Sequence, residues 1–160
     1  MSDKTCCFIG HRKIEITDTL REILYSTISD IIIKSNITTF LFGSKSQFND
    51  LCYEITSTLK ITFPQIKRIY VRAEYSYIDN EYKSYLLQSY EETYYPPNLI
   101  NSGRAAYIKR NYEMIDKSNV CIFYFDKNYQ LQEKNSGTKL AYIYAESKNK
   151  KIINIYKNEK

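Results

Sequence analysis

The sequence predicts an α/β fold: a three-layer Rossmann-like domain with a mostly parallel sheet of about five strands, spanning residues 1–160 as a single domain. Three observations predict it. Short apolar, β-rich runs alternate along the chain with longer segments whose apolar residues recur at helical spacing. Several of these transitions pass through a small polar turn containing glycine, at Gly10, Gly43 and Gly137. A length of 160 residues suits one domain able to bury a core without metal or disulfide support.

The first run, residues 5–9, ends in Gly10-His11-Arg12-Lys13 and so delivers the sole histidine and an arginine to a strand's carboxyl end. Ligands of open parallel sheets bind outside those ends. Gly10 allows close approach to the backbone, and Arg12 offers a forked cation. Thr17 or Asp18 can cap a helix whose apolar stripe is Leu20, Ile23, Leu24, Ile28, Ile31 and Ile32, with Asn36 ending it. Residues 38–42 read as a second strand that stops at Gly43-Ser44-Lys45-Ser46, before a helix over 48–59. This turn brings hydroxyls and a cation but lacks the spacing of a P-loop.

Pro64 precedes a third strand, 66–71, which runs into Arg72-Ala73-Glu74-Tyr75. Residues 76–95 carry Tyr82, Tyr85, Leu86 and Tyr90 near helical spacing and are closed by Pro96-Pro97. These tyrosines read as half-buried packing, with nucleobase stacking the alternative. Asn101-Ser102-Gly103-Arg104 leads into a helix through Ser118, and Ala105, Ile108, Tyr112 and Ile115 mark its sheet-facing stripe. At ~100° per residue Arg110 falls about half a turn from that stripe, so it is expected to point away from the core, as a solvated arginine unless a ligand or a neighbouring subunit covers that side.

The fourth strand is the apolar run 120–125. The loop 126–136 after it exceeds the usual span of about two to six residues and reads as a functional lid. Asn135-Ser136-Gly137-Thr138 then opens a helix expected to pack through Leu140, Ile143 and Tyr144, and residues 151–156 form the fifth strand. A Ser-Gly-Thr turn at a helix N-terminus leaves backbone N–H groups outward with the helix dipole behind them. That is either a helix cap or a phosphate seat.

Composition narrows the function classes. A net charge of +5, with lysines concentrated in the last dozen residues, reads as solvated surface, so nucleic acid is not the expected partner. There is no 18-residue apolar run and no apolar signal segment after Met1, so the expectation is a cytoplasmic protein without a membrane partner. Cys6, Cys7, Cys52 and Cys121 lack metal-ligand spacing; buried free thiols are expected, with no metal and no cofactor. Seventeen tyrosines accompany abundant Ile, Asn and Lys, a pattern that codon bias toward A and T produces, so their positions carry more weight than their number.

Cys7-Phe8-Ile9-Gly10-His11-Arg12, Phe40-Leu41-Phe42-Gly43-Ser44, the segment 107–125 and Ser136-Gly137-Thr138 together resemble the SLOG superfamily. That Rossmann-like group includes the Lonely Guy (LOG) phosphoribohydrolases, the DprA-type DNA-processing proteins and the YpsA-like proteins. The resemblance covers nearly the whole chain and is closest to the YpsA-like branch. LOG enzymes carry Met-x-x-Arg-Lys-x-x-Met and Pro-Gly-Gly-x-Gly-Thr-x-x-Glu. Here Arg110 and Met114 match the first motif, with Asn111 in place of its lysine. Gly137 and Thr138 match the second, with Ala141 in place of its glutamate.

The resemblance therefore implies a phosphate site without its catalytic acid, because alanine can neither activate water nor stabilise charge on ribose. The expected function is non-catalytic binding, as sensor or sequestering protein, of a nucleotide-derived small molecule such as an ADP-ribose or cyclic ADP-ribose type signal of prokaryotic or phage conflict systems. The expected ligand residues are Gly10, His11, Arg12, Gly43, Ser44, Arg72, Glu74, Arg104, Arg110, Ser136, Gly137 and Thr138. LOG-like hydrolysis with Glu74 or another acid, such as Glu113 or Asp126, is the alternative, and DNA binding of the DprA kind a third reading. LOG proteins build their sites near dimer interfaces, so the resemblance implies a homodimer or homotetramer.

Overall fold

The sequence Lys-Thr-Cys-Cys-Phe-Ile-Gly of β1 (Lys4–Gly10) is apolar on both faces, which places it in the middle of a sheet covered on two sides. Cys6 and Phe8 face one core, Cys7 and Ile9 the other. In the computed structural model, which describes residues 4–43, 45–128 and 137–156, β1 is flanked by β2 (Ile37–Phe42) and β5 (Val120–Tyr124). Outward from these lie β3 (Lys67–Val71) and β4 (Glu92–Tyr94) on one side and β6 (Lys151–Asn154) on the other. The order is β4-β3-β2-β1-β5-β6, and every neighbouring pair is parallel.

The helices divide between the faces. α1 (Asp18–Ser35) and α2 (Gln47–Thr62) bury Leu24, Ile28, Phe48 and Leu51 against Phe8, Phe40, Phe42 and Ile122. α4 (Ala105–Asp116) and α5 (Gly137–Ser147) cover Cys7, Ile9, Leu41, Val71 and Phe123 on the opposite face. The three-layer α/β reading therefore holds. Thr17 caps α1 by accepting from Leu20 N at 3.0 Å, and Asn36 ends it in the left-handed region at φ 57°. All four cysteines are buried and unpaired.

Three sequence expectations need correction. The sheet has six strands rather than about five, because residues 76–95 are not one helical segment. A short helix, α3 (Asn80–Leu86), gives way to β4. This three-residue edge strand is held by Glu91, whose carboxylate pairs with Arg68 at 2.7 Å and accepts Arg68 N at 2.7 Å. Tyr90 packs on Tyr53, Tyr70 and Phe42 instead of lining a helix.

The buried stripe of α4 is Ala106, Arg110, Met114 and Ile115, rotated from the expected Ala105, Ile108, Tyr112 and Ile115. In α5 the buried residues are Thr138, Ala141 and Ala145, whereas Ile143 is 51% exposed. The small buried residues of α5 let that helix approach the sheet closely. The larger side chains serve elsewhere: Tyr112 and Tyr144 stack on each other at 3.9 Å between the two helices.

Candidate functional site

In a sheet of this order the strand sequence reverses direction between β1 and β5, and the crevice beyond their carboxyl ends is the usual ligand position. Here that crevice is filled from within. A Cβ at Gly10 would stand 2.4 Å from Phe48 Cδ2, so the glycine admits a phenylalanine ring of α2 rather than a ligand. His11 is buried, and its Nε2 accepts Asp126 N at 2.9 Å, tying the end of β1 to the end of β5. That bond requires a neutral ring, and burial pushes the imidazole below its ordinary value despite the nearby Asp126 carboxylate. Asn49, also buried, donates to Phe8 O at 3.0 Å and accepts Gly43 N at 3.2 Å, which fixes the ends of β1 and β2.

The ends of β2 and β3 are built differently. Arg110 is 4% exposed and reaches from α4 across both strand ends: Nη1 donates to Gly43 O and to Val71 O, the latter at 3.4 Å. Nε donates to Asn111 Oδ1 at 3.0 Å. A Cβ at Gly43 would lie 2.6 Å from Arg110 Cδ and 2.8 Å from Met114 Sδ, so this glycine makes the room the arginine occupies. No carboxylate forms a salt bridge with Arg110 among the described residues. Burial depresses its pKa to about 10, against weaker support from Tyr70, Tyr107 and Glu74, so it is charged at neutral pH.

Above it the guanidinium carbon lies 5.9 Å from the centre of the Tyr107 ring. Tyr107 donates its hydroxyl to Glu74 Oε2 at 2.9 Å, and Lys45 Nζ stands 3.6 Å from Glu74 Oε1. These contacts raise the pKa of the tyrosine through its hydrogen bond and that of the lysine through the carboxylate's charge. The N-terminus of α5 lies beside Asn111, whose Nδ2 would stand 4.0 Å from a Cβ at Gly137.

The predicted residues thus separate. Gly43, Glu74 and Arg110 come together, and Gly137 lies beside them. Contrary to expectation, Arg110 does not point off its own core; the strand ends of the same chain cover it, so it gives no argument for a subunit interface. Gly10 and His11 pack the closed β1/β5 end. Arg72 is 9% exposed and binds Tyr75 O at 3.1 Å and Thr93 Oγ1 at 3.2 Å, holding β3, β4 and the loop between them. Arg12 and Arg104 are exposed, and Thr138 is buried on the inner face of α5. Ser44, Ser136 and most of the expected lid lie outside the described residues.

Sequence reasoning missed Asn49, Tyr107 and Asn111. The last two lie three positions before and one after Arg110, a spacing that becomes informative once Arg110 is known to face inward.

A separate cleft of about 270 Å³ lies near the ends of β5 and β6, bordered by Phe125, Asp126, Tyr142 and Tyr156; it is lined by the first residues of the expected lid, 126–128, and by none of the expected ligand residues. Among the described residues no cluster of His, Cys, Asp or Glu is arranged to hold a metal, and no helix is long and apolar enough to cross a membrane. No protein-family model matches the chain, and no curated protein matches it.

Proposed function

We propose that the chain binds an anionic, nucleotide-derived small molecule at the ends of β2 and β3 and does not hydrolyse it. Arg110 carries this reading. A guanidinium buried without a carboxylate is costly, because strand carbonyls only partly replace the water it gives up. Its Nη2 makes no hydrogen bond among the described residues, which leaves two donors to offer. A phosphate or diphosphate supplies the missing charge and accepts those donors in a forked geometry.

The SLOG resemblance agrees with this placement in Arg110 and Gly137, two of the residues that match its motifs. Loss of hydrolysis is supported by Ala141, which is 1% exposed among Cys7, Ile9 and Phe123. At that position a glutamate would be buried in the packed face of the sheet. A sensing or sequestering role for a signal of the ADP-ribose type, in a homodimer or homotetramer, belongs to the same proposal. One observation favours the alternative of LOG-like hydrolysis: Glu74 holds a carboxylate beside Tyr107 and Lys45 at the same strand ends.

A thermal-shift panel of nucleotides, ADP-ribose and cyclic ADP-ribose, followed by mass spectrometry of the recovered ligand, separates the two. The expected result is a raised melting temperature for at least one compound, recovered intact. Release of free base and ribose phosphate would favour hydrolysis through Glu74. No shift with any phosphate-bearing compound would overturn the site.

A further inference from the structure

Glu74 has more acceptor capacity than its neighbours consume. One oxygen accepts the Tyr107 hydroxyl at 2.9 Å and the other faces Lys45 Nζ at 3.6 Å. A carboxylate offers about four lone-pair positions, so about two remain, and the side chain is 36% exposed. Two accepting positions on one carboxylate are what a vicinal diol needs for its two O–H donors.

The surroundings of Glu74 set the order of the chemistry. Tyr107 joins it to the buried guanidinium of Arg110. On the other side in sequence, Tyr75 joins it to an exposed group of rings. Tyr75 meets Tyr82 edge to face at 6.0 Å, and Tyr82 lies nearly parallel to Tyr85 at 6.1 Å. Tyr75 and Tyr85 are more than half exposed and Tyr82 more than a third. The loop is anchored, because Arg72 Nε holds Tyr75 O at 3.1 Å. Tyr82 also lies within electrostatic reach of Lys45 and Arg72, so the rings belong to the same neighbourhood as the charged groups.

A guanidinium, a carboxylate with open acceptor positions and exposed aromatic faces thus succeed one another along this part of the molecule. Phosphate, ribose diol and base succeed one another in a ribonucleotide. We propose that Glu74 is the sugar-specificity residue of the site, accepting the 2′- and 3′-hydroxyls of a ribonucleotide whose phosphate faces Arg110 and whose base stacks on Tyr82. This rests on the anion-binding reading above and narrows its ligand to ribonucleotides with a free diol. A base stacked on tyrosine gains affinity without demanding a particular base, whereas the diol contact discriminates against deoxy sugars.

The test is calorimetric titration of the full chain with ADP, 2′-deoxy-ADP and inorganic pyrophosphate, on the unaltered protein and on Glu74→Gln. The unaltered protein is expected to bind ADP about tenfold or more tightly than 2′-deoxy-ADP, as loss of a hydrogen bond to a charged acceptor implies. Glu74→Gln is expected to bring the two within about threefold while pyrophosphate affinity stays the same or rises. Equal affinity of the unaltered protein for ADP and 2′-deoxy-ADP overturns the role of Glu74, and pyrophosphate binding in that case leaves the anion site standing. No binding of any of the three overturns both.

Discussion

Replacing Arg110 with methionine separates a residue kept for a ligand from one kept for the fold. Methionine retains most of the aliphatic length beside Gly43 and Met114 and removes the charge. Burial holds the guanidinium at about 10, well below the ordinary arginine value, which corresponds to about 3 kcal/mol against the charged form in the folded protein. The folded value is the lower one, so below pH 10 this penalty is present in full. It is relieved only as pH rises through 10, where the unfolded chain still keeps its proton.

Opposing this are the hydrogen bonds to Gly43 O, Val71 O and Asn111 Oδ1, each contributing about 1 kcal/mol net. The two sides cancel to within about 1.5 kcal/mol. Urea denaturation without ligand is therefore expected to find Arg110→Met nearly as stable as the unaltered protein, while calorimetry finds pyrophosphate binding lost. A variant destabilised by more than about 3 kcal/mol that still binds pyrophosphate would refute the reasoning and make Arg110 a structural clamp.

Two further predictions concern the closed end of the sheet. Gly10→Ala drives a methyl group into the Phe48 ring and is expected to cost about 1–3 kcal/mol in urea denaturation; an unchanged midpoint would mean that the ring has room to move. His11 has a folded pKa below its unfolded one, so the unfolded chain takes up the proton first as pH falls, and stability is lost below about pH 6.5. His11→Gln keeps an acceptor for Asp126 N without titrating, and denaturation at pH 7.5 and 5.5 is expected to show a smaller loss than in the unaltered protein; equal losses would remove His11 from the acid response.

The fold was legible because strands covered on both faces are written as apolar runs, as in Cys-Cys-Phe-Ile of β1 and Val-Cys-Ile-Phe of β5. The faces of α4 and α5 were not, because α5 packs through Thr138, Ala141 and Ala145, and the stripe of α4 carries an arginine between Ala106 and Met114. A search for large apolar side chains selects Tyr112 and Tyr144, which in fact bind each other. β4 was hidden by its length and by Tyr90, whose near-helical spacing after Tyr82 and Tyr85 reflects contacts with Tyr53 and Tyr70 rather than a continued helix.

At the site, the strand ends could be located but the roles of their residues could not. Phe48 decides what Gly10 is for, and Asp126, 115 positions away, decides what His11 is for. Gly43 and Arg110, 67 positions apart, explain each other only after the chain has folded.

The unequal treatment of the two halves of the sheet's carboxyl end has a consequence for how the protein can diverge. Around β1 and β5, Phe48, His11 and Asn49 are tied to backbone, so substitutions there are answered by the fold as a whole. Beyond β2 and β3, Lys45, Glu74, Tyr75, Tyr82 and Tyr107 stand at the surface, held by contacts among side chains. Those residues can be exchanged one at a time against an unchanged scaffold. Under the proposed anion-binding reading, a lineage built on this chain changes its ligand without first becoming unstable, and a library randomised at those five positions samples binding rather than folding.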